Sequence, residues 1–332
     1  PYSGYHRFGK TYPGFLSFHQ LGSKLKVAVF GGTGFVGSYI LDELLAQGHQ
    51  AKLLVRFGSE SKLESFSNIE SVFGDVSSLE SIEETLSGCD AAINLIGLIR
   101  EFPSKEITFE DLHFQSAKRV IHAAEKAGVK RFILMSANGV KPNGTPYQTS
   151  KWLAEQVLKG STLDWTIFRP SLIFGDPRGR VEFCSQLRAD MLSLPIPAPL
   201  FHRGLIPKNA GEFEMSPIHV KNVATFFVAA LSKDSTYGKR YDLGGADTFT
   251  WKQLIKQIAA GVGKTKWTMP APVFPIKLVA GMLDRFSFFP ITKDQLTMLL
   301  EGNTCDSKDV FEEFKIDPIP MNKDTLNYLM NS

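Results

Sequence analysis

Cysteine is scarce, with three in 332 residues. Cys89, Cys184 and Cys305 lie far apart, so they offer neither a metal-ligand spacing nor a disulfide framework, and a reducing compartment is expected. Long apolar runs are missing too. A membrane span needs roughly 18–20 apolar residues. The best candidates, around 222–231 and 271–283, are too short or are broken by Pro275 and Lys277. Neither sign of charge dominates: 37 bases against 34 acids leave +3, which gives no reason to expect a nucleic-acid partner. No two of the seven histidines sit at ligand spacing with a carboxylate or cysteine on one helix face, so no metal is expected. Ser136 stands in Met135-Ser136-Ala137 and not in a nucleophile elbow, which argues against a serine hydrolase. Internal repeats and low-complexity tracts are absent as well.

The composition that remains, 43% hydrophobic and 21% charged, is that of a globular chain forming one large or two modest domains. No acid precedes Asp42, while Arg7, Lys10, Lys24 and Lys26 are interleaved with Tyr2, Tyr5, Phe8, Tyr12, Phe15 and Phe18. Such an acid-poor, aromatic arm over 1–24 reads either as the mature end of an imported organellar protein or as an irregular surface arm.

Short apolar runs predict strands over 26–30, 51–55, 69–73, 91–95, 131–135 and 165–168. Helical stretches over 35–47, 79–86, 106–127 and 147–159 lie between them. This alternation predicts βαβ units, hence an α/β, Rossmann-like doubly wound parallel sheet. After Arg169 the rhythm breaks at Pro195, Pro197, Pro199, Pro207 and Pro217. A helix over 220–231, a strand over 240–243 and a helix over 250–261 follow. From Pro270 the chain is apolar, helical and proline-broken. The expected division is a Rossmann domain over 25–175, rejoined by 217–245, and a smaller, mostly helical C-terminal lobe over 176–216 and 246–332.

Gly31, Gly34 and Gly37, with Thr33, Phe35 and Val36 between them, follow the first strand and open the first helix. Glycines at this spacing let a backbone turn tightly and approach a pyrophosphate, which then meets the free N–H groups of the helix start. Arg56 ends the second strand where NAD-preferring folds usually place an acid. A guanidinium there suits a 2′-phosphate, so NADP(H) is expected over NAD(H). Asp75, next to Val76 after the third strand, could accept from the adenine amine or merely cap a turn. Leu95, Ile96 and Gly97 end the fourth strand, where a backbone can pass close to the cofactor.

Ser136 lies just past the fifth strand, and Tyr147 and Lys151 stand four apart on one helix face. A nearby ammonium lowers a phenol's pKa, so Tyr147 could exchange a proton with a carbonyl or alcohol, with Ser136 bonding the reacting oxygen. Lys151 could also hold the nicotinamide ribose.

These residues, with Arg169-Pro170-Ser171, resemble the extended and atypical short-chain dehydrogenase/reductases. A narrower likeness rests on 93–97, Phe109-Glu110-Asp111, 169–175 (with Pro170 and Ile173), Pro217-Ile218-His219-Val220, Leu243-Gly244-Gly245 and 290–295. Over roughly 25–320 the chain resembles the nucleotide-binding accessory subunit of mitochondrial respiratory complex I and its free-standing bacterial relatives. The resemblance implies a tightly held NADPH, other subunits of a membrane respiratory complex as partners, and a place on the matrix side of the inner membrane. A bacterial or organellar soluble compartment is the alternative. It further implies a structural role in which redox chemistry sits elsewhere. Tyr147 and Lys151 are both kept, however, whereas animal mitochondrial members tend to have lost the pair. That leaves open an active NADP-dependent reductase, dehydrogenase or sugar-nucleotide epimerase using Ser136, Tyr147 and Lys151. Asn222 also departs from the pattern, standing where relatives often carry an acid. The Phe-, Leu- and Met-rich stretch within 270–290 reads as core packing, or as a surface for a membrane or a partner subunit.

Overall fold

The computed structural model describes residues 24–63, 69–204, 206–283 and 292–330. The aromatic arm over 1–23 and the end of the 270–290 stretch lie outside the described residues. In chain order the first half comprises β1 (Lys26–Phe30), α1 (Phe35–Ala46), β2 (Gln50–Val55), β3 (Glu70–Phe73), α2 (Leu79–Leu86), β4 (Ala91–Asn94), α3 (Ser116–Lys126), β5 (Arg131–Met135), α4 (Pro146–Lys159) and β6 (Asp164–Pro170). The second half comprises β7 (Ile173–Phe174), α5 (Phe183–Leu187), β8 (Ala198–His202), β9 (Glu214–Met215), β10 (Ile218–His219), α6 (Val220–Leu231), β11 (Lys239–Leu243), β12 (Phe249–Thr250), α7 (Trp251–Gly261), β13 (Thr268–Pro272), α8 (Val273–Leu283), α9 (Lys293–Glu301) and α10 (Lys308–Phe314).

Seven strands form one parallel sheet in the order β3-β2-β1-β4-β5-β6-β11. Val27, Ala28, Val29 and Phe30 of β1 are all fully buried, as strands covered on both faces must be. One face packs on α1 and α6, through Ile40, Leu41, Leu44, Val223 and Phe227. The other packs on α2, α3 and α4, through Ile82, Val120, Ile121 and Leu158. The order in which strands are added reverses between β1 and β4, and the crevice that opens there is where such sheets bind ligands.

Two features differ from the sequence reading. The helix expected from 106 starts as a π-turn over Glu110–Gln115 before becoming α3. Glu106 adopts φ 56°, which ends any helix there, and the Thr108 hydroxyl accepts from the Asp111 N–H, so the helix begins anew. Short strand pairs form past β6 as well, β7 with β10 within the bounds expected for the Rossmann domain, and β9 with β12 and β8 with β13 within the second lobe. Two prolines in β13 hid it from a periodicity reading, and prolines are tolerated there because the ladder is only two strands wide. This lobe has its own core around Trp251, Leu254, Ile258, Leu296 and Leu326. Asn222 explains itself here: its Nδ2 donates to Asp317 O (2.9 Å) while its Oδ1 accepts from Ile319 N–H (2.8 Å). An ionised carboxylate could not make the first bond.

Candidate functional site

The loop between β1 and α1 is drawn tight by Gly34 N–H donating to Gly31 O at 3.1 Å. Gly37 permits that closure, because a Cβ on it would stand 2.5 Å from Gly31 O and 2.6 Å from Gly32 O. Gly34 is the N-cap of α1 and no side chain caps the helix, so its first N–H groups face the crevice. Leu95 and Ile96 at the end of β4 lie against Gly31.

Lys151 reaches from α4 into the same place. Its Nζ donates to Ile96 O and Met135 O, both at 3.1 Å, tying the ends of β4 and β5 together. Gly97 leaves room for it, since a Cβ there would come within 2.9 Å of Nζ. Burial pushes the ammonium down to about 8, opposed by Glu155 one turn on. Ser136 follows β5, and its Oγ is buried without a hydrogen-bond partner among the described residues. Tyr147 is half-buried against Phe109 and His113, with ring centroids 5.5 and 5.2 Å away. Here the sequence expectation is corrected. Burial raises the phenol to about 12, and the Lys151 ammonium donates to two backbone carbonyls and not to the phenol.

On the other side of the switch point, Arg56 is exposed just past β2. Phe57 and Phe73 stack beside it at 6.2 Å. Asp75 Oδ1 accepts from Ser77 N–H at 2.9 Å, a turn-forming bond that leaves its second oxygen for a ligand. Val76 is buried beneath it. Pro170 ends β6, its carbonyl taking Asn138 N–H, and Ile173 pairs with Ile218. The glycine loop, 95–97, Ser136, Tyr147 and Lys151 thus gather at one end of the crevice. Arg56 and Asp75 would stand at the adenine end of a dinucleotide laid across it as in other sheets of this kind.

An orphaned Ser136 hydroxyl, open helix N–H groups and a glycine-lined approach fit a nicotinamide dinucleotide. Bound there, it would be held at its phosphates by 33–37 and at its nicotinamide ribose by Lys151.

Three features escaped the sequence reading. His113, one of seven dispersed histidines, is buried in the site. Its Nε2 accepts from Leu98 N–H (3.0 Å), so its Nδ1 carries the proton that goes to Ser150 Oγ (3.0 Å). The 302–304 strap and the end of α9 are fastened over this end of the crevice. Glu301 bonds Gln148 (2.9 Å) and Lys141 (2.8 Å), and Asn303 bonds Asn138 (2.7 Å). The third is a basic turn over 176–180 that lies on the glycine loop. Only the doubled arginine around Gly179 signalled it in sequence.

His113 carries a pH prediction. Burial and Lys151 hold its pKa down to about 2, against 6.5 in the unfolded chain. The unfolded state therefore binds the extra proton below pH 6.5, and stability is lost as pH falls through that window, by about 2 kcal/mol at pH 5. Denaturant midpoints at pH 7 and 5 should converge in His113→Gln relative to the wild type. An unchanged difference between the two pH values would refute the assignment.

Residues 31–191 match the family described as NAD(P)H-binding. The chain is 26% identical over 312 residues to the mitochondrial NADH-ubiquinone oxidoreductase 40 kDa subunit of Neurospora crassa, covering 91% of this chain and 78% of that protein. It is 25% identical over 281 residues to the mitochondrial NADH dehydrogenase (ubiquinone) 1 alpha subcomplex subunit 9 of Dictyostelium discoideum, covering 82% and 74%. It is also 24% identical over 299 residues to the photosystem II assembly factor Ycf39 of Trieres chinensis, covering 88% of each. Among solved structures, gox2253 superposes with a TM-score of 0.72 at 23% identity, over 93% of this chain and 97% of that one. The UDP-glucuronic acid 4-epimerase from Bacillus cereus gives 0.70 at 16% identity, over 92% and 98%. The structural likenesses carry the fold alone. The chain therefore matches an NAD(P)H-binding family over 31–191, has a Rossmann-like fold, and is similar over most of its length to proteins named as subunits of mitochondrial NADH-ubiquinone oxidoreductase.

Proposed function

We propose that this protein is an NADP(H)-binding accessory subunit of respiratory complex I, on the matrix side of the mitochondrial inner membrane, and not itself a redox centre. The observation that carries this reading is homology along 91% of the chain to a complex I 40 kDa subunit, with the nucleotide crevice intact. Geometry at the nicotinamide end supports retention over turnover. The end of α9 and the strap after it are bonded to Gln148 and Asn138, next to Tyr147 and close to Ser136 in the chain, and burial raises the Tyr147 phenol to about 12. Arg56 supports NADP(H) over NAD(H), since an arginine at the end of β2 suits a 2′-phosphate and an acid does not. The division of labour follows: 25–175 with 217–245 holds the nucleotide, while the lobe of 176–216 and 246–332, apart from its 176–180 turn and 301–304 strap, faces partners. Trp267, Met269, Phe274 and Leu278 of that lobe are exposed beside Lys264, Lys266 and Lys277, a composition suited to a membrane surface or a partner subunit.

A second reading has one observation behind it. Ser136 Oγ is buried and unpartnered beside Tyr147 and Lys151, which would suit a substrate oxygen. A bound nicotinamide would supply hydride transfer. Tyr147 would then exchange a proton with the substrate, Ser136 would bond its oxygen, and Lys151 would orient the ribose.

Purification from the native source with Tyr147→Phe in place separates the two. An accessory subunit migrates within the respiratory complex, keeps its nucleotide, and leaves the assembly's activity within about twofold of wild type. A free-standing chain whose carbonyl reduction falls by about 10²-fold or more in the variant would favour the enzyme.

A further inference from the structure

Beyond β7 the chain turns sharply through Asp176, Pro177, Arg178, Gly179 and Arg180. Arg178 takes φ 51° and its N–H donates to Asp176 Oδ1 at 2.9 Å. Its guanidinium is committed to α1, 2.6 Å from the Asp42 carboxylate and 3.7 Å above the Tyr39 ring. Tyr39 in turn donates to Asp176 O at 3.0 Å. This turn is therefore anchored on the helix that starts at the glycine loop.

Arg180 is placed differently. Its Nε donates to Thr33 O (2.9 Å), inside the glycine loop. Its Nη2 donates to Lys62 O (3.1 Å) and its Nη1 to Arg178 O (2.9 Å). Lys62 belongs to the turn that begins at Arg56, where Ser59 N–H donates to Arg56 O and Lys62 N–H to Ser59 O. One half-buried guanidinium thus spans the glycine loop and the segment after β2, the two walls between which the adenosine ribose of a dinucleotide lies. No carboxylate pairs with Arg180 among the described residues, and Asp42 nearby is already held by Arg178. Three of its five N–H groups go to carbonyls, leaving two for an oxyanion.

We propose that Arg180 is a second cation for the 2′-phosphate of NADP(H), delivered from the far side of the sheet's switch point, so that nucleotide choice depends on the 176–180 turn as well as on Arg56. This rests on the reading that the cofactor is NADP(H). A planar guanidinium fixed by three carbonyls suits phosphate in a way that a flexible ammonium does not. Loss of Arg180 should therefore penalise the phosphorylated nucleotide selectively.

The test is fluorescence titration of the full chain, freed of nucleotide, with NADPH and with NADH. Arg180→Gln should weaken NADPH by roughly 10–100-fold and NADH by less than about threefold, with Arg180→Lys in between. Equal losses for both nucleotides, or none for either, would overturn the proposal. Arg56→Ala run alongside separates the two levels. If it loses its NADPH preference while Arg180→Gln keeps it, the cofactor reading stands and the role of Arg180 falls. If the wild type binds NADH as tightly as NADPH, both fall. Should the Arg180 variants not fold, arginine modification of the wild type by phenylglyoxal, mapped by peptide, decides it. Arg180 should be shielded by 2′,5′-ADP and not by ADP, and equal shielding would refute the assignment.

Discussion

Gly37→Ala should lose nicotinamide nucleotide binding by at least about 100-fold and destabilise the fold by about 1–3 kcal/mol. The added methyl would sit 2.5 Å from Gly31 O, 2.6 Å from Gly32 O and 2.7 Å from Gly32 C. All three atoms are backbone, so no side-chain rotamer can relieve the overlap. The loop must open, and opening it breaks the Gly34 N–H bond to Gly31 O and turns the first N–H groups of α1 away from one another. Those groups are what a pyrophosphate would meet. Gly34→Ala should be milder, because its Cβ would only approach Gly31 O at 3.3 Å. Gly128→Ala serves as a control for backbone strain alone. Gly128 has φ 75° with nothing within 4 Å of a Cβ, and lies between α3 and β5, outside the glycine loop. Calorimetric titration with NADPH and urea unfolding on the three variants give the ranking. If Gly37→Ala binds as the wild type does, the β1–α1 turn is not the phosphate seat.

The sheet was legible because its signals are local. Strands such as 26–30 are continuous apolar runs, helices such as 79–86 are bounded by a capping serine, and the glycine spacing sits at the one strand–helix junction where it has physical meaning. The Ser136, Tyr147 and Lys151 cluster could be read for the same reason, being placed by consecutive elements of the βαβ repeat. Residues brought in from far along the chain were not legible. Glu301 meets Gln148 across 153 positions and Arg180 meets Thr33 across 147, and no periodicity encodes such a contact. His113 was hidden differently. No spacing singled it out among the histidines, yet burial and the Lys151 charge keep it neutral, and its bond from Leu98 N–H fixes the loop after β4. The phenol of Tyr147 was misjudged because a four-residue spacing says which face a side chain shares and not which acceptor wins its neighbour's ammonium. Two backbone carbonyls at the ends of β4 and β5 take it instead.

The other large effect is expected at Glu155, which the sequence reading passed over. It is fully buried on α4, and its carboxylate takes two 2.7 Å bonds from Nε and Nη2 of Arg169, at the end of β6. Lys159 adds a longer contact at 3.8 Å. Glu155→Gln leaves the Arg169 guanidinium in a site closed to water with its counter-charge gone, a change that typically costs about 3–5 kcal/mol. Replacing both partners at once, Glu155→Leu with Arg169→Met, removes the stranded charge and should recover much of that loss, as a double-mutant cycle in urea would measure. The same carboxylate also acts on the site. It is the charge that opposes the downward shift of Lys151, so its removal drives the Lys151 pKa further below about 8. At pH 7 to 8 more of Lys151 is then neutral, and the hold on a ribose hydroxyl proposed for it would weaken. Nucleotide release from Glu155→Gln should therefore accelerate with rising pH from a lower threshold than in the wild type. Stopped-flow dissociation between pH 6 and 9 reads that threshold directly. A variant that loses stability with an unmoved pH profile would confine Glu155 to the fold; a profile shifted towards acid ties the buried Glu155–Arg169 ion pair to the Lys151 charge proposed to hold the cofactor.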